Sequence, residues 1–255
     1  MFYKKNRLFK MQRPLIMLQK INTFFLDALF PIACLICHKK DIRICDDCVE
    51  KFPLLSFQFC PYCEKEIIIS GVVCGKCKKS QLALEALICA TEYQNISKLV
   101  HLFKYNFVFS LSVPLGRIIA RALLKNNNFL PDFIIPIPIH KHKLKWRGFN
   151  QAELLANAVS ENLIKKITIP VRTDLVFRQK KTSPQMKIKT YQERLNNLND
   201  AFMIAPEAKD IIAGKNILLI DDIATTGATL FECAKILKSA GAKEIHGAII
   251  ARQKI

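Results

Sequence analysis

Leu218-Leu219-Ile220-Asp221-Asp222-Ile223-Ala224-Thr225-Thr226-Gly227-Ala228-Thr229 is an apolar run that ends in two adjacent acids and turns at once toward a helix. A continuous apolar run bounded by turn residues reads as a strand buried on both faces. In a parallel sheet, ligands sit beyond the carboxyl ends of the strands. Asp221 and Asp222 fall at that end. The turn Thr225, Thr226, Gly227, Ala228 and Thr229 opens the next helix, whose free N–H groups and dipole favour a phosphate. Gly227 permits close backbone approach, and the three hydroxyls add donors. Two carboxylates repel phosphate but accept hydrogen bonds from a vicinal diol. A 5′-phosphorylated ribose satisfies both halves at once. The alternative is an ordinary strand–turn–helix with an exposed acid pair. No GxGxxG or Walker P-loop occurs to signal another nucleotide fold.

Outward from this stretch, strands and helices alternate. The segment CATEY reads as a strand, and Ile96, Leu99, Val100 and Phe103 fall at helical spacing. Val113 to Leu124 repeats that pattern, and DFIIPIPIH is a short buried strand with prolines at its exit. Asn150 caps a helix over Gln151 to Asn162 that buries Leu154, Leu155, Ala158 and Val159. Thr229 to Ala240 forms a helix burying Leu230, Cys233, Ala234 and Leu237, with Gly241 as terminator. EIHGAIIAR is the last strand. This alternation predicts an α/β fold, a parallel sheet flanked by helices with right-handed crossovers.

The chain before it is different. Eight of the ten cysteines form four CxxC pairs: Cys34/Cys37, Cys45/Cys48, Cys60/Cys63 and Cys74/Cys77. A CxxC turn lets two thiolates face one metal, and two turns complete a tetrahedral sulfur shell suited to zinc. Four turns imply two structural zinc ions. Disulfides need an oxidising compartment, which nothing in the sequence indicates. A redox CxxC usually stands singly, and spacing leaves iron–sulfur ligation open. Sequential pairing is the simplest arrangement, with crossed or nested pairing as alternatives. Cys89 and Cys233 read as small buried hydrophobes. The predicted organisation is a basic extension over 1–23, a double zinc ribbon over 24–86 and the α/β domain over 87–255.

Lys and Arg number 39 against 21 Asp and Glu, a formal charge of +18. Such a balance suits a polyanionic partner, with plain solubility as the bland alternative. No window is apolar enough for a membrane span, and no clean signal peptide follows the basic start, so the chain reads as cytoplasmic. Met11 and Met17 are alternative starts.

The Asp221 to Thr229 stretch resembles the ribose-5-phosphate loop of type I phosphoribosyltransferases. Further segments extend the likeness: Phe25 to Cys37 (FLDALFPIACLIC), His101-Leu102-Phe103-Lys104-Tyr105, Pro136-Ile137-Pro138-Ile139, and a basic loop ending Arg147-Gly148-Phe149-Asn150-Gln151. Arg178, Thr182, Gln185, Arg194, Asn197 and Ala201-Phe202 follow. Together they resemble the ComF family, linked to DNA uptake in naturally competent bacteria, over roughly residues 24–255. The resemblance implies a double zinc ribbon followed by a phosphoribosyltransferase fold.

It also implies an activity. Phosphoribosyl pyrophosphate would be the substrate, with Mg²⁺ bridging its pyrophosphate and ribose oxygens. Asp221, Asp222 and Arg147 are the candidates for catalysis, and Thr225 to Thr229 for the 5′-phosphate. Gly148, Asn150, Gln151, Lys104, Arg178, Gln185 and Arg194 are further substrate-binding candidates. The loop carrying His140, Lys141, His142, Lys143, Lys145 and Arg147 would face pyrophosphate, and Gln179 to Lys189 has the polarity of a lid. Trp146 either stacks on a base or fills an interface or core. Three functions fit: transfer of the phosphoribosyl group to an unknown acceptor, binding of single-stranded DNA on a transferase fold, or docking of a competence helicase or another DNA-uptake component while the ribose site senses metabolite.

Overall fold

The computed structural model describes residues 32–63, 65–67, 71–79, 82–106, 108–126, 129–179 and 201–253. The chain divides into two compact units, Met1–Cys48 and Val49–Ile255.

In the first unit the Cys34–Cys37 turn is closed by backbone. The Cys34 N–H donates to Lys39 O at 2.8 Å and the Leu35 N–H to Arg43 O at 2.9 Å. Ala33 bridges Lys40 antiparallel. This knuckle leads to Cys45 and the helix α1 (Asp46–Glu50), which carries Cys48.

The second unit begins with the other cysteine knuckle. β1 (Gln58–Phe59) pairs antiparallel with β2 (Glu66–Ile67), and Cys77 sits on α2 (Gly75–Lys78). The parallel sheet follows. Its strands are β3 (Ala86–Glu92), β4 (Phe133–Pro136), β7 (Asn216–Ile220) and β9 (Glu244–Arg252), in the order β3-β9-β7-β4. Register is set by apolar pairs buried from both faces, such as Ile217 with Ile245 and Phe133 with Ile217. β8 (Ile223–Ala224) adds two residues beside the end of β9. A small antiparallel pair, β5 (Val176–Arg178) and β6 (Phe202–Ile204), and the short α7 (Ala208–Ile212) precede β7.

The helices are α3 (Tyr93–Tyr105), α4 (Ser112–Asn126), α5 (Lys141–Arg147), α6 (Gln151–Leu163) and α8 (Ala228–Ser239). α3 buries Ile96, Leu99, Val100 and Phe103, the stripe its spacing predicts. α4 and α6 cross closely at Gly116, where an added Cβ would stand 2.4 Å from Ala158 Cβ. The expected parallel α/β architecture is therefore present. Four details differ. The apolar strand ends at Ile220, and the acids lie beyond it. The last helix starts one residue early, at Ala228. Leu154 is half-exposed, off the α6 stripe of Ala152, Leu155, Ala158 and Val159.

The fourth is a correction. The basic segment expected as a loop is the helix α5. His140 Nδ1 accepts from the His142 N–H at 3.2 Å at its start. Gly148, at φ 77°, ends it by donating its N–H to Leu144 O. Nothing between them breaks a helix, so the lysines are presented from a helix of about two turns.

The edge strand β3 is covered by the second knuckle. Gln58, fully buried, exchanges both its carboxamide bonds with the Cys89 backbone, at 2.8 and 3.0 Å. The side chain thus substitutes for a neighbouring strand. Thr91 Oγ1 donates to Pro53 O at 2.6 Å beside it. Cys89 and Cys233 are buried among apolar neighbours, as small core residues should be.

Candidate functional site

Two adjacent acids at a strand end would repel each other unless the fold holds them apart. Backbone bonds do so. Asp221 Oδ1 accepts from the Asp222 N–H at 2.8 Å, and Asp222 Oδ1 from the Ile223 N–H at 2.6 Å. The main chain of both is clamped to β9, through Asp221 N–H to Ala248 O and Ile250 N–H to Asp222 O.

The two carboxyls then diverge in partner. Lys104, in the last turn of α3, meets Asp222 Oδ1 at 2.9 Å. Burial works against the Lys104 charge, yet Asp222 and, more weakly, Asp221 outweigh it and raise its pKa. Asp221 has no such partner at contact distance among the described residues. Burial, reinforced by the Asp222 charge, lifts its pKa to about 7.

After β8 comes the turn. Gly227 adopts φ 78°, the left-handed conformation that favours glycine, and heads α8. Thr226 Oγ1 accepts from the Ala228 N–H at 3.3 Å, which fixes the first turn of the helix. An Arg that sequence reasoning passed over supports this turn from behind. Arg252, at the end of β9, donates from Nε to Thr225 O at 3.1 Å and from a terminal nitrogen to Thr226 O at 3.4 Å. No local spacing singles Arg252 out, because its place beside the turn comes from the pairing of β9 with β7 and β8.

The opposite wall is basic. Asn150 caps α6 through Ala152 N–H and ties it to the exit of β4 by donating to Ile137 O at 3.1 Å. Arg147 donates to Gln151 Oε1 at 2.9 Å, and its guanidinium carbon lies 6.0 Å from the Tyr105 ring centroid. Arg147 Nε and Gln151 Nε2 are buried donors that find no acceptor among the described residues. Two buried N–H groups left open suit an acceptor brought by a ligand. Burial depresses the Lys143 pKa, and the charges of Arg178, Arg147 and Lys104 depress it further, while Asp222 opposes them. Burial likewise lowers that of Arg178, with Asp221 opposing. Lys104, Lys143, Arg147, Arg178 and the two acids therefore act on one another across one space. Gly148 lies at the end of α5 beside it. Trp146 is 69% exposed, so it fills no core. Gln185 and Arg194, with Thr182, Asn197 and most of the lid segment, lie outside the described residues.

A cavity of about 420 Å³ opens at the carboxyl ends of β3 and β9. Phe57, Phe59, Leu87 and Ile249 line it, and Arg252 joins it to the turn.

The cysteines gather into two sets, Cys34/Cys37/Cys45/Cys48 and Cys60/Cys63/Cys74/Cys77. Within each, the sulfurs lie within 4.8 Å of one another. Cys37 and Cys45 are 3.5 Å apart, and Cys63 and Cys74 3.6 Å. A tetrahedral zinc with Zn–S of about 2.3 Å spaces its sulfurs about 3.8 Å apart. The fit is good, and all eight are free thiols. Sequential pairing is thus the arrangement adopted. Such crowding splits their acidities. Burial would raise Cys34, but backbone bonds from Cys37 and Cys45 prevail and bring it to about 6. Cys74 falls to about 6, chiefly by the Cys77 backbone. Cys48 and Cys77 are pushed up, first by burial and then by sharing protons with their neighbours. A dication relieves that conflict by taking all four as thiolates.

Residues 150–255 match the family model for a phosphoribosyl transferase domain, and residues 25–78 that for a double zinc ribbon domain. Competence protein F of Haemophilus influenzae is 30% identical over 226 residues, spanning 85% of this chain and 95% of that protein. The chain belongs to the ComF family. Other relatives agree. Competence protein ComFC of Streptococcus pneumoniae is 27% identical over 83% of this chain and 88% of its own length. The DNA utilization protein YhgH of Escherichia coli K12 is 27% identical over 73% and 81%. In the ComF-family chain described here, the two four-cysteine clusters are structural zinc sites. No helix among the described residues is long and apolar enough to cross a membrane.

Proposed function

We propose that this ComF-family protein binds phosphoribosyl pyrophosphate and transfers its phosphoribosyl group to an acceptor during the handling of incoming DNA in the cytoplasm. One observation carries the reading: the twin acids that follow β7 meet Lys104 and face the charge of Lys143, and a left-handed glycine turn follows them within five residues. In this reading residues 24–86 serve as the ribbon module and 87–255 as the transferase domain. The DNA-uptake role rests on the names of the relatives, competence protein F and ComFC.

The chemistry follows from placement. Asp221 and Asp222 accept hydrogen bonds from the ribose hydroxyls and lie near the positive charge that develops on the sugar. The backbone of Thr225 to Thr229 holds the 5′-phosphate. Arg147, Gln151 and Lys143 take the pyrophosphate, whose bond to C1 breaks with the electron pair leaving on oxygen. Gln185 and Arg194 are assigned to the same substrate by family likeness. An acceptor lone pair then forms the new bond to C1. Mg²⁺ carried with the substrate supplies charge neutralisation, and the oxygen donors here suit it.

Calorimetric titration of phosphoribosyl pyrophosphate with Mg²⁺ tests the site. Saturable binding that weakens about tenfold or more in Asp222→Ala supports the reading, since bonds to an ionised group contribute roughly 1.5–3 kcal/mol. Equal binding by both proteins overturns it.

A second reading is favoured by Trp146, exposed at 69% on the helix that carries Lys141, Lys143 and Lys145. An exposed ring among cations suits stacking on single-stranded DNA, with or without a helicase partner. Affinity for a single strand that stays flat between low and high salt would contradict it.

A further inference from the structure

The second cysteine site is joined to the phosphate turn by two rings. Its first knuckle reads Cys60-Pro61-Tyr62-Cys63, so Tyr62 lies between two metal-ligating thiols. The Tyr62 ring stacks on Phe231, with centroids 4.6 Å apart and planes 14° from parallel. The Tyr62 hydroxyl accepts from the Leu84 N–H at 3.0 Å, which holds the ring from its far end. Phe231 belongs to the first turn of α8, and its N–H donates to Gly227 O at 3.0 Å. Its ring lies directly under Gly227: an added Cβ there would meet Cζ at 2.9 Å. Gly227 is the residue that must hold φ 78° for the turn to present its N–H groups.

We propose that the second metal site sets the conformation of the phosphate turn, with Tyr62 and Phe231 as positioning residues. The four sulfurs fix the knuckle when they ligate zinc. The knuckle fixes the Tyr62 plane. Tyr62 fixes Phe231, which in turn forms the floor that Gly227 rests on. Loss of metal here frees the knuckle and thereby the turn. The first site lies in the other compact unit and serves as the control. The part concerning substrate rests on the ligand reading above, whereas the part concerning the turn does not.

The test is amide hydrogen exchange across Thr225 to Phe231 in the full-length zinc-loaded protein, with zinc content measured for each variant. Phosphoribosyl pyrophosphate with Mg²⁺ is titrated in parallel. Tyr62→Ala and Cys63→Ser should speed exchange in this stretch and weaken ligand affinity by about threefold to tenfold, the range an aromatic pair provides. Tyr62→Phe keeps the ring and should restore both. Cys37→Ser should leave both unchanged. Should Cys63→Ser fail to fold, the comparison of Tyr62→Ala with Tyr62→Phe at full zinc content decides. Equal exchange in those two overturns the inference. If the exchange pattern holds while wild type binds no ligand, the relay stands and the ligand reading falls. If wild type binds ligand and the exchange is unmoved, the reverse follows.

Discussion

Replacing Asp221 with Asn should stabilise the protein, and by an amount that grows with pH. The reason is in the fold. Asp221 is partly buried beside Asp222, and its pKa stands at about 7 instead of the ordinary 3.8. Ionising it in the folded chain therefore costs more than in the unfolded one, on the order of a few kcal/mol. A carboxyl raised in this way leaves stability intact below its unfolded value, and that stability is lost as pH climbs through 7. Asn carries no charge to bury, and its Oδ1 can still accept from the Asp222 N–H as Asp221 does now. The variant's advantage should be smallest near pH 4, grow as pH rises, and level off above pH 7 at a few kcal/mol, on the order of what one buried charge costs. Urea denaturation of both proteins across that range measures it, with the midpoint as readout. An advantage that does not change with pH, or a variant weaker than wild type at pH 8.5, refutes the reasoning. The same variant should bind phosphoribosyl pyrophosphate less well, because stability and ribose recognition compete at this carboxyl.

Two further substitutions probe the walls of the site. Lys104→Met keeps the length of the side chain but removes the cation 2.9 Å from Asp222, leaving a carboxylate of 11% side-chain exposure unpaired. It should destabilise by roughly 3 kcal/mol at neutral pH, and Lys104→Met with Asp222→Asn should recover most of that loss in a thermal melt. Arg252→Gln removes the donors to Thr225 O and Thr226 O. It should weaken phosphoribosyl pyrophosphate about tenfold by calorimetry while leaving zinc content unchanged.

The parts of this chain that are legible in its sequence are those set by local pattern. The Asp221–Thr229 turn can be read because a buried strand, two acids and a glycine must follow one another in sequence for that geometry to exist. The presence of two metal sites can be read because a CxxC turn places both thiols by itself, whereas which knuckles share a metal is decided only by the fold, which pairs them in order. Asn150 is readable as a cap for the same reason, its bond reaching only to Ala152. The α5 helix escapes such reading because seven residues with five cations or imidazoles carry no apolar stripe, and its two ends are decided by His140 and Gly148 alone.

What the sequence does not disclose is long-range pairing of ordinary residues. Gln58 filling the edge of β3, Arg252 behind the turn, and Tyr62 against Phe231 are separated by 31, 27 and 169 positions respectively from their partners. None belongs to a spacing that chemistry enforces locally. Their common effect is to bring the second knuckle, the edge of the sheet and the Thr225–Thr229 turn into one packed unit. Tyr62 is consequently the residue where a motif read for its metal packs against the helix that follows the turn read for a phosphate. Its neighbours in sequence give only the metal half of that role, while the other half exists only once α8 has folded beneath Gly227.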